Sequence, residues 1–193
     1  MRIKSGQRAR SFVAKDIAGN THSLQSLRGK PVLLSFFRDA ACPFCNMRIF
    51  ELTKIYPALR QRYGLTMLCF FQSSSDEISR HVGRNRRPFP LIADPRNIVY
   101  EQYGVEASVG GMAITMVRRM PLMFRAMFTH RLFPRKMGAT MPADFLIGPD
   151  LEIMQAHYGR DVGDHFPVHT LIDSLEEMRG REMDMPAIIQ PAF

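Results

Sequence analysis

The stretch Val32-Leu33-Leu34-Ser35-Phe36-Phe37-Arg38-Asp39-Ala40-Ala41-Cys42-Pro43-Phe44-Cys45 decides the fold. Residues 32–37 form a near-continuous apolar run rich in strand formers. Its lack of polar alternation predicts a central strand covered on both faces. Four residues lead from it to Cys42, and Pro43 follows directly. Proline is favoured at the first helical position, because its missing N–H is not needed there. Met47, Phe50, Leu52, Ile55 and Leu59 then recur at near-helical spacing up to a stop at Tyr63-Gly64. A strand thus feeds a helix whose opening turn carries two cysteines three residues apart.

That spacing has a chemistry. Thiol–disulfide exchange needs an attacking thiolate and a second thiol within reach to resolve the mixed disulfide. A cysteine at a helix start meets unpaired backbone N–H groups and the positive end of the dipole. Such cysteines have pKa values of roughly 3.5–7.5 rather than about 8.5. Cys42 is therefore the expected nucleophile and Cys45, one turn inside, the expected resolving thiol. The alternatives are half of a zinc site or two inert core thiols. A zinc site wants a second close ligand pair, but Cys69 stands alone and His81 has no neighbouring His or Cys. No metal and no cofactor beyond a redox-active Cys42–Cys45 disulfide is expected. Arg38 and Asp39 would tune the Cys42 pKa in opposite directions if they faced it; solvated loop charges are the alternative.

Working outward, residues 1–20 read as a loose lead-in ending at Gly19-Asn20, and 21–29 as a short strand or turn. Residues 65–71 predict a second buried strand, 75–82 a short helix, 89–94 a short strand, and 97–103 a helical turn or two closed by Gly104. Residues 143–147 and 151–158 around Gly148-Pro149-Asp150 predict a hairpin. Asp164 is the expected N-cap of a last helix with Val168, Leu171, Ile172, Leu175 and Met178 as its stripe, and the tail after Gly180 reads as irregular. Alternating strands and helices call for a parallel sheet with helices on both faces, and the late hairpin makes it mixed. Residues 107–143 differ from the rest: no Asp or Glu, six Lys or Arg, and half of the methionines. They read as a basic, Met-rich helical insertion at about 107–139 in one domain spanning 1–193.

With 193 residues the chain needs no staples to fold, and three cysteines are too few for a disulfide scaffold. The net charge of +8 favours acidic partners. There is no Trp and no interleaving of aromatic and basic residues of the kind RNA-binding sheets use, so nucleic acid is not an expected partner. No run of 18 apolar residues exists, so no membrane span is expected. The polar, basic residues 1–11 do not read as a secretory signal, which points to a cytoplasmic protein. In that compartment exposed cysteine pairs are usually catalytic or metal-binding.

Three stretches carry a family likeness. Gly29-Lys30-Pro31-Val32-Leu33-Leu34 through Cys42-Pro43-Phe44-Cys45, Pro88-Phe89-Pro90-Leu91-Ile92-Ala93-Asp94-Pro95, and Met141-Pro142-Ala143-Asp144-Phe145-Leu146-Ile147 resemble the redoxin and peroxiredoxin-like branch of the thioredoxin superfamily. The likeness is to its alkyl hydroperoxide reductase/thiol-specific antioxidant group, with a C-P-F-C centre. It covers about 12–178, interrupted by the insertion. The resemblance implies an α/β, thioredoxin-like three-layer sandwich and an antioxidant oxidoreductase. It implies a protein disulfide or peroxide as substrate and a thioredoxin- or glutathione-type reductant. It makes Pro142 a cis-proline facing the cysteine pair, and Met141, Pro142, Pro43 and Phe44 the substrate contacts. The chain departs from the peroxiredoxin P-x-x-x-[ST]-x-x-C pattern at Ser35 and Asp39, and shows no clear equivalent of the family's arginine around Met141. An acidic group at Asp39, were it to face the sulfur, would raise the thiol pKa. Phe36 stands where thioredoxins place a buried acid, so the proton for Cys45 comes from elsewhere or from water.

Three functions follow from these residues. The first is a thiol–disulfide oxidoreductase. The second is a peroxidase that passes through a Cys42 sulfenic acid. The third is a redox-inactive binding protein that uses the insertion. Met112, Met116, Met120, Met123 and Met127 recur every three or four residues there. That stripe would pack on the domain, form a homodimer or client surface, or lie on a membrane surface. Cys69, in an apolar strand, reads as a buried small hydrophobe. His157, Asp161, Asp164, His165 and His169 read as helix-start polarity, with a metal site the weaker alternative.

Overall fold

The computed structural model describes residues 1–107 and 140–184, with side chains to 181. The insertion and the contacts expected of it lie outside the described residues. The apolar run becomes β3 (Val32–Phe37), buried at all six positions. It sits at the middle of a five-stranded sheet ordered β5-β4-β3-β6-β7. β4 (Thr66–Phe71) pairs with it in parallel, and β5 (Leu91–Ala93) pairs in parallel with β4. On the other side β6 (Ala143–Ile147) and β7 (Ile153–Tyr158) run antiparallel. The sheet is mixed, as the late hairpin requires. A small antiparallel hairpin, β1 (Val13–Lys15) and β2 (Thr21–Ser23), gives the lead-in segment more order than its sequence predicts. Leu151 adopts φ 71°, so the second hairpin strand begins at Ile153 rather than 151.

The sheet's two faces are filled by alternate residues of each strand. Leu33, Phe37, Met67, Cys69, Phe71 and Leu146 meet α1 (Pro43–Tyr63) and α4 (Val168–Asp184). Val32, Leu34, Phe36, Leu68, Phe70 and Phe145 meet α3 (Ile98–Gln102), Tyr103 and the N-terminal Ile3 and Phe12. A short α2 (Ser75–Arg80), opened by a Ser74/Glu77 capping box, completes the described helices. The result is three layers. Aromatic side chains lock register across the strands: Phe36 stacks on Phe70 and Phe37 on Phe71, each at 5.0 Å. Gly64 ends α1 at φ 67°, and its N–H donates to the Arg60 carbonyl.

Three expectations about helices are corrected. Met47 and Phe50 do not belong to the inward stripe of α1; they are 40% and 57% exposed. The buried face is Cys45, Arg48, Ile49, Leu52, Tyr56 and Leu59, which includes a charged residue that a purely apolar pattern passes over. Asp164 does not cap α4. The helix starts at Val168, after Pro167, and Leu171 N–H donates to the Pro167 carbonyl. Asp164 instead accepts from Arg160 N–H at 2.8 Å. α4 also continues past Gly180 to Asp184.

Candidate active site at the head of α1

β3 releases the chain at Phe37, and residues 38–41 carry it to Cys42 at the N-cap of α1 (φ −66°, ψ 123°), with Pro43 in the first turn. The loop is pinned from several sides. Ala40 N–H donates to Ser73 Oγ at 2.9 Å, Ala41 N–H to Asp39 Oδ1 at 2.7 Å, and Cys42 N–H to the Asp39 carbonyl at 3.2 Å. Asn46 Nδ2 donates to the Ala40 and Cys42 carbonyls at 2.7 and 2.9 Å. Beneath, the Tyr100 hydroxyl donates to the carbonyls of Phe37 and Phe70 and ties the strand ends together.

Arg38 is buried, and its Nη2 donates to Cys42 Sγ at 3.2 Å. The Cys45 thiol, the Arg38 charge and the Cys45 backbone N–H together outweigh burial and lower the Cys42 pKa to about 6. Cys45 moves the other way. Donation to the Cys42 thiolate, burial and the negative charge of Cys42 hold it well above the ordinary thiol range. The two sulfurs are thus an anion and a neutral donor, not two equivalent thiols. At pH 7 a thiol with a pKa of 6 is about nine-tenths thiolate, against a few per cent for one at about 8.5.

The Asp39 carboxylate accepts the Ala41 N–H, and the Asp39 main chain lowers the Cys45 pKa by less than the three causes that raise it. The Met141–Pro142 bond is trans, because no cis peptide bond occurs among the described residues. The expected cis-proline is therefore corrected: the chain keeps the lower-energy isomer, and Gly159 N–H donates to the Pro142 carbonyl at 2.8 Å. Ala143 pairs with Phe36. Met141 and Pro142 thus sit at the end of the sheet from which the cysteine loop leaves. Met141, Pro43 and Phe44 are buried, as is Pro142. Cys42 itself is 0% exposed. Cys69 is buried in β4, and burial holds its pKa well above the ordinary value.

The structure scatters the late histidines and aspartates. His157 Nε2 lies 3.2 Å from Asp164 Oδ1, His169 is exposed, and His165 turns inward to Asp144. Among the described residues no group of three or more His, Cys, Asp or Glu could hold a metal. A surface cavity of about 500 Å³ is lined by Asp16, Ile17, Arg86, Arg87 and Pro88 among others and includes neither cysteine.

Sequence reasoning missed a buried polar cluster under the helix. Asp144 Oδ2 lies 3.0 Å from His165 Nδ1 and accepts the Phe166 N–H at 2.8 Å. Arg48, on the buried face of α1 one turn beyond Cys45, donates to the Phe166 carbonyl at 2.6 Å and to Glu51 at 2.6 Å. Burial would raise the Asp144 pKa, but His165, Arg48 and the Phe166 N–H hold it at about 2. The available signal was an aspartate inside the otherwise apolar run Ala143-Asp144-Phe145-Leu146-Ile147. Buried carboxylates are rare unless paired.

Residues 5–156 match the model of the AhpC/TSA family. The chain belongs to that family. Among curated relatives, a chloroplastic peroxiredoxin Q of Populus jackii is 29% identical over 57% of this chain and 51% of its own length. The thiol-disulfide oxidoreductase ResA of Halalkalibacterium halodurans is 27% identical over 53% of this chain and 57% of its own. The chain thus spans about half the length of these two relatives. The fold is matched by the crystal structure of peroxidoxin BcpB from Mycobacterium tuberculosis, with a TM-score of 0.65 at 16% identity, covering 93% of this chain and 98% of that one. That likeness concerns the fold. The AhpC/TSA match ends before His165 and Phe166, so the cluster around Asp144 is completed by residues outside it.

Proposed function

We propose that this chain is a thiol–disulfide oxidoreductase in which Cys42 is the nucleophile and Cys45 the resolving thiol. The observation that carries the reading is the set of donors around one sulfur. The Cys45 thiol and the Arg38 guanidinium hold Cys42 as an anion at neutral pH. In the reaction the Cys42 thiolate attacks one sulfur of a substrate disulfide and expels the other as a thiolate. Cys45 then attacks the Cys42 sulfur and frees the second substrate thiol. Two electrons pass to the substrate, and a Cys42–Cys45 disulfide remains for a thioredoxin- or glutathione-type reductant to reopen. No further cofactor is needed. The setting is a reducing compartment, the cytoplasm. Arg38 is the residue that tunes Cys42, whereas Asp39 shapes the loop. Pro43, Phe44, Met141 and Pro142 are assigned to the substrate side.

A second reading has its own support. Cys42 is fully buried, so a protein disulfide reaches it only after local opening, whereas a hydroperoxide is small. Attack on a hydroperoxide would give a Cys42 sulfenic acid and an alcohol or water, and Cys45 would then condense with it and release water. Arg38 is placed to stabilise the negative charge that develops on the departing oxygen.

The test of the first reading is alkylation of the reduced chain by iodoacetamide across pH 4–10, with Cys42 followed by peptide mass spectrometry. A midpoint near 6 is expected; a midpoint near 8.5 refutes the assignment. Stopped-flow reaction with hydrogen peroxide separates the two readings. A rate no faster than that of a small free thiol rejects the peroxidase.

A further inference from the structure

The reading of Cys45 as the resolving thiol, on which this inference rests, leaves one proton unassigned. In the free dithiol the Cys45 thiol donates to the Cys42 thiolate. Once Cys42 is bound in a mixed disulfide that acceptor has lost its charge. Cys45 is buried and must still give up its proton before its sulfur can attack.

The structure supplies a proton site on the same side of the sheet. Ser35, Cys69 and Asp144 are side-by-side partners in the central three strands and face α1. The Asp144 carboxylate fixes His165 through Nδ1 at 3.0 Å, and the ring lies 4.8 Å from the Phe37 ring, between centroids. Phe37 runs directly into the Arg38–Cys42 loop. Arg48, one turn beyond Cys45, holds the Phe166 carbonyl next door. His165 therefore packs on the end of β3, and the next residue, Phe166, is tied to the second turn of α1. The carboxylate determines which ring nitrogen is engaged and leaves Nε2 for exchange. Four buried polar atoms in this layer make no hydrogen bond to the described residues: Ser35 Oγ, Arg48 Nε, Asp144 Oδ1 and His165 Nε2. Buried polar atoms of native proteins nearly always have a partner, and a bound water needs two to four of them.

We infer that His165, oriented by Asp144, exchanges the Cys45 proton through water held among Ser35, Arg48, Asp144 and His165. In oxidation Cys45 gives its proton by way of the water to His165 Nε2. The Cys45 sulfur bonds to the Cys42 sulfur, the Cys42–substrate S–S bond breaks, and the substrate leaves as a thiolate that takes a proton from solvent. In reduction the flow reverses: Cys45 leaves Cys42 as a thiolate and takes the proton from the imidazolium. Among the described residues, the charged and titratable groups of this cluster are Asp144 from β6, which meets the ring, Arg48 from α1, which holds the neighbouring Phe166 carbonyl and pairs with Glu51, and Cys69 from β4, which feels the Asp144 and Arg48 charges. Asp144 is a positioning residue in this scheme.

The test uses 2,2′-dipyridyl disulfide, a small neutral probe that releases one chromophore when Cys42 attacks and a second when Cys45 resolves. His165→Gln keeps a donor for Asp144 but has no group that takes up or gives up a proton near neutral pH. In the variant the first phase should keep the wild-type rate. The second should slow by roughly 100-fold, as loss of a general acid–base group does, and lose its wild-type pH profile. Asp144→Asn, which keeps an acceptor for the Phe166 N–H, should slow the second phase selectively by a smaller factor. A solvent deuterium isotope effect on the second phase of the unaltered chain gives a readout independent of any variant. A second phase unchanged in His165→Gln, or an unaltered chain with no isotope effect, overturns the inference. Equal slowing of both phases also overturns it, because that is a loss of structure. An absent first phase refutes the reading of Cys42 itself, and this inference with it.

Discussion

Replacing Arg38 with methionine removes a charge 3.2 Å from the reacting sulfur while retaining a side chain of similar length. An opposite charge at such range shifts a pKa by roughly one to three. Taking about two, the Cys42 midpoint rises from about 6 to about 8. The Cys45 thiol and backbone N–H, which remain, keep it below the ordinary value. At pH 7 the thiolate fraction then falls about tenfold. Each remaining thiolate, however, is more nucleophilic. With a Brønsted slope of about 0.4–0.5, two pKa steps raise its reactivity by roughly 6–10-fold. The two effects nearly cancel at pH 7, so a rate measured there alone shows almost nothing. Away from neutrality they separate: at pH 5 the variant should react about tenfold slower with iodoacetamide, and at pH 9 several-fold faster. The assay is the complete pH–rate curve of Cys42 alkylation in both chains under reducing conditions. Crossing curves are the expected result. A midpoint that stays near 6, or a variant slower by one factor at every pH, refutes the claim that Arg38 acts on the sulfur through its charge.

Two further outcomes follow from burial and linkage. Because the folded chain lowers the Cys42 pKa, thiolate stabilisation is lost as pH falls through about 6 and grows as pH rises toward the ordinary thiol value, by roughly 4 kcal/mol at most. Cys45 and Cys69 are raised and act oppositely above about pH 8.5. Stability of the reduced chain in urea should therefore peak near pH 8, and Cys42→Ser should flatten the rise from pH 6; an identical slope in the variant rejects the linkage. On α1, Ile49→Ala should cost about 2–4 kcal/mol because Ile49 is 0% exposed. Phe50→Ala, at a 57% exposed position on the same helix, should stay within about 1 kcal/mol; equal losses in thermal unfolding would falsify the assignment of the buried face.

The local order of this chain is written in its sequence, because it depends on neighbours a few residues apart. The apolar run at 32–37, the Cys42-Pro43 junction and the Gly64 stop are short-range signals, and β3, the N-cap cysteine and the end of α1 appear where those signals fall. The hairpin around Gly148-Pro149-Asp150 is of the same kind. Helical periodicity was less decisive. It placed Met47 and Phe50 inward, because hydrophobicity cannot foresee that Arg48 is buried to hold the Phe166 carbonyl. What a charged residue does depends on where the fold carries it. Whether Arg38 or Asp39 faces the sulfur turns on the path of four loop residues pinned by Ser73 and Asn46. The pairing of Asp144 with His165 joins residues 21 positions apart. Spacing along the chain thus determined which two sulfurs share a helical turn. Only the packing of β3, β6, α1 and the 159–167 loop decided the electrostatics around them, because that force acts through space and leaves no periodic trace in sequence.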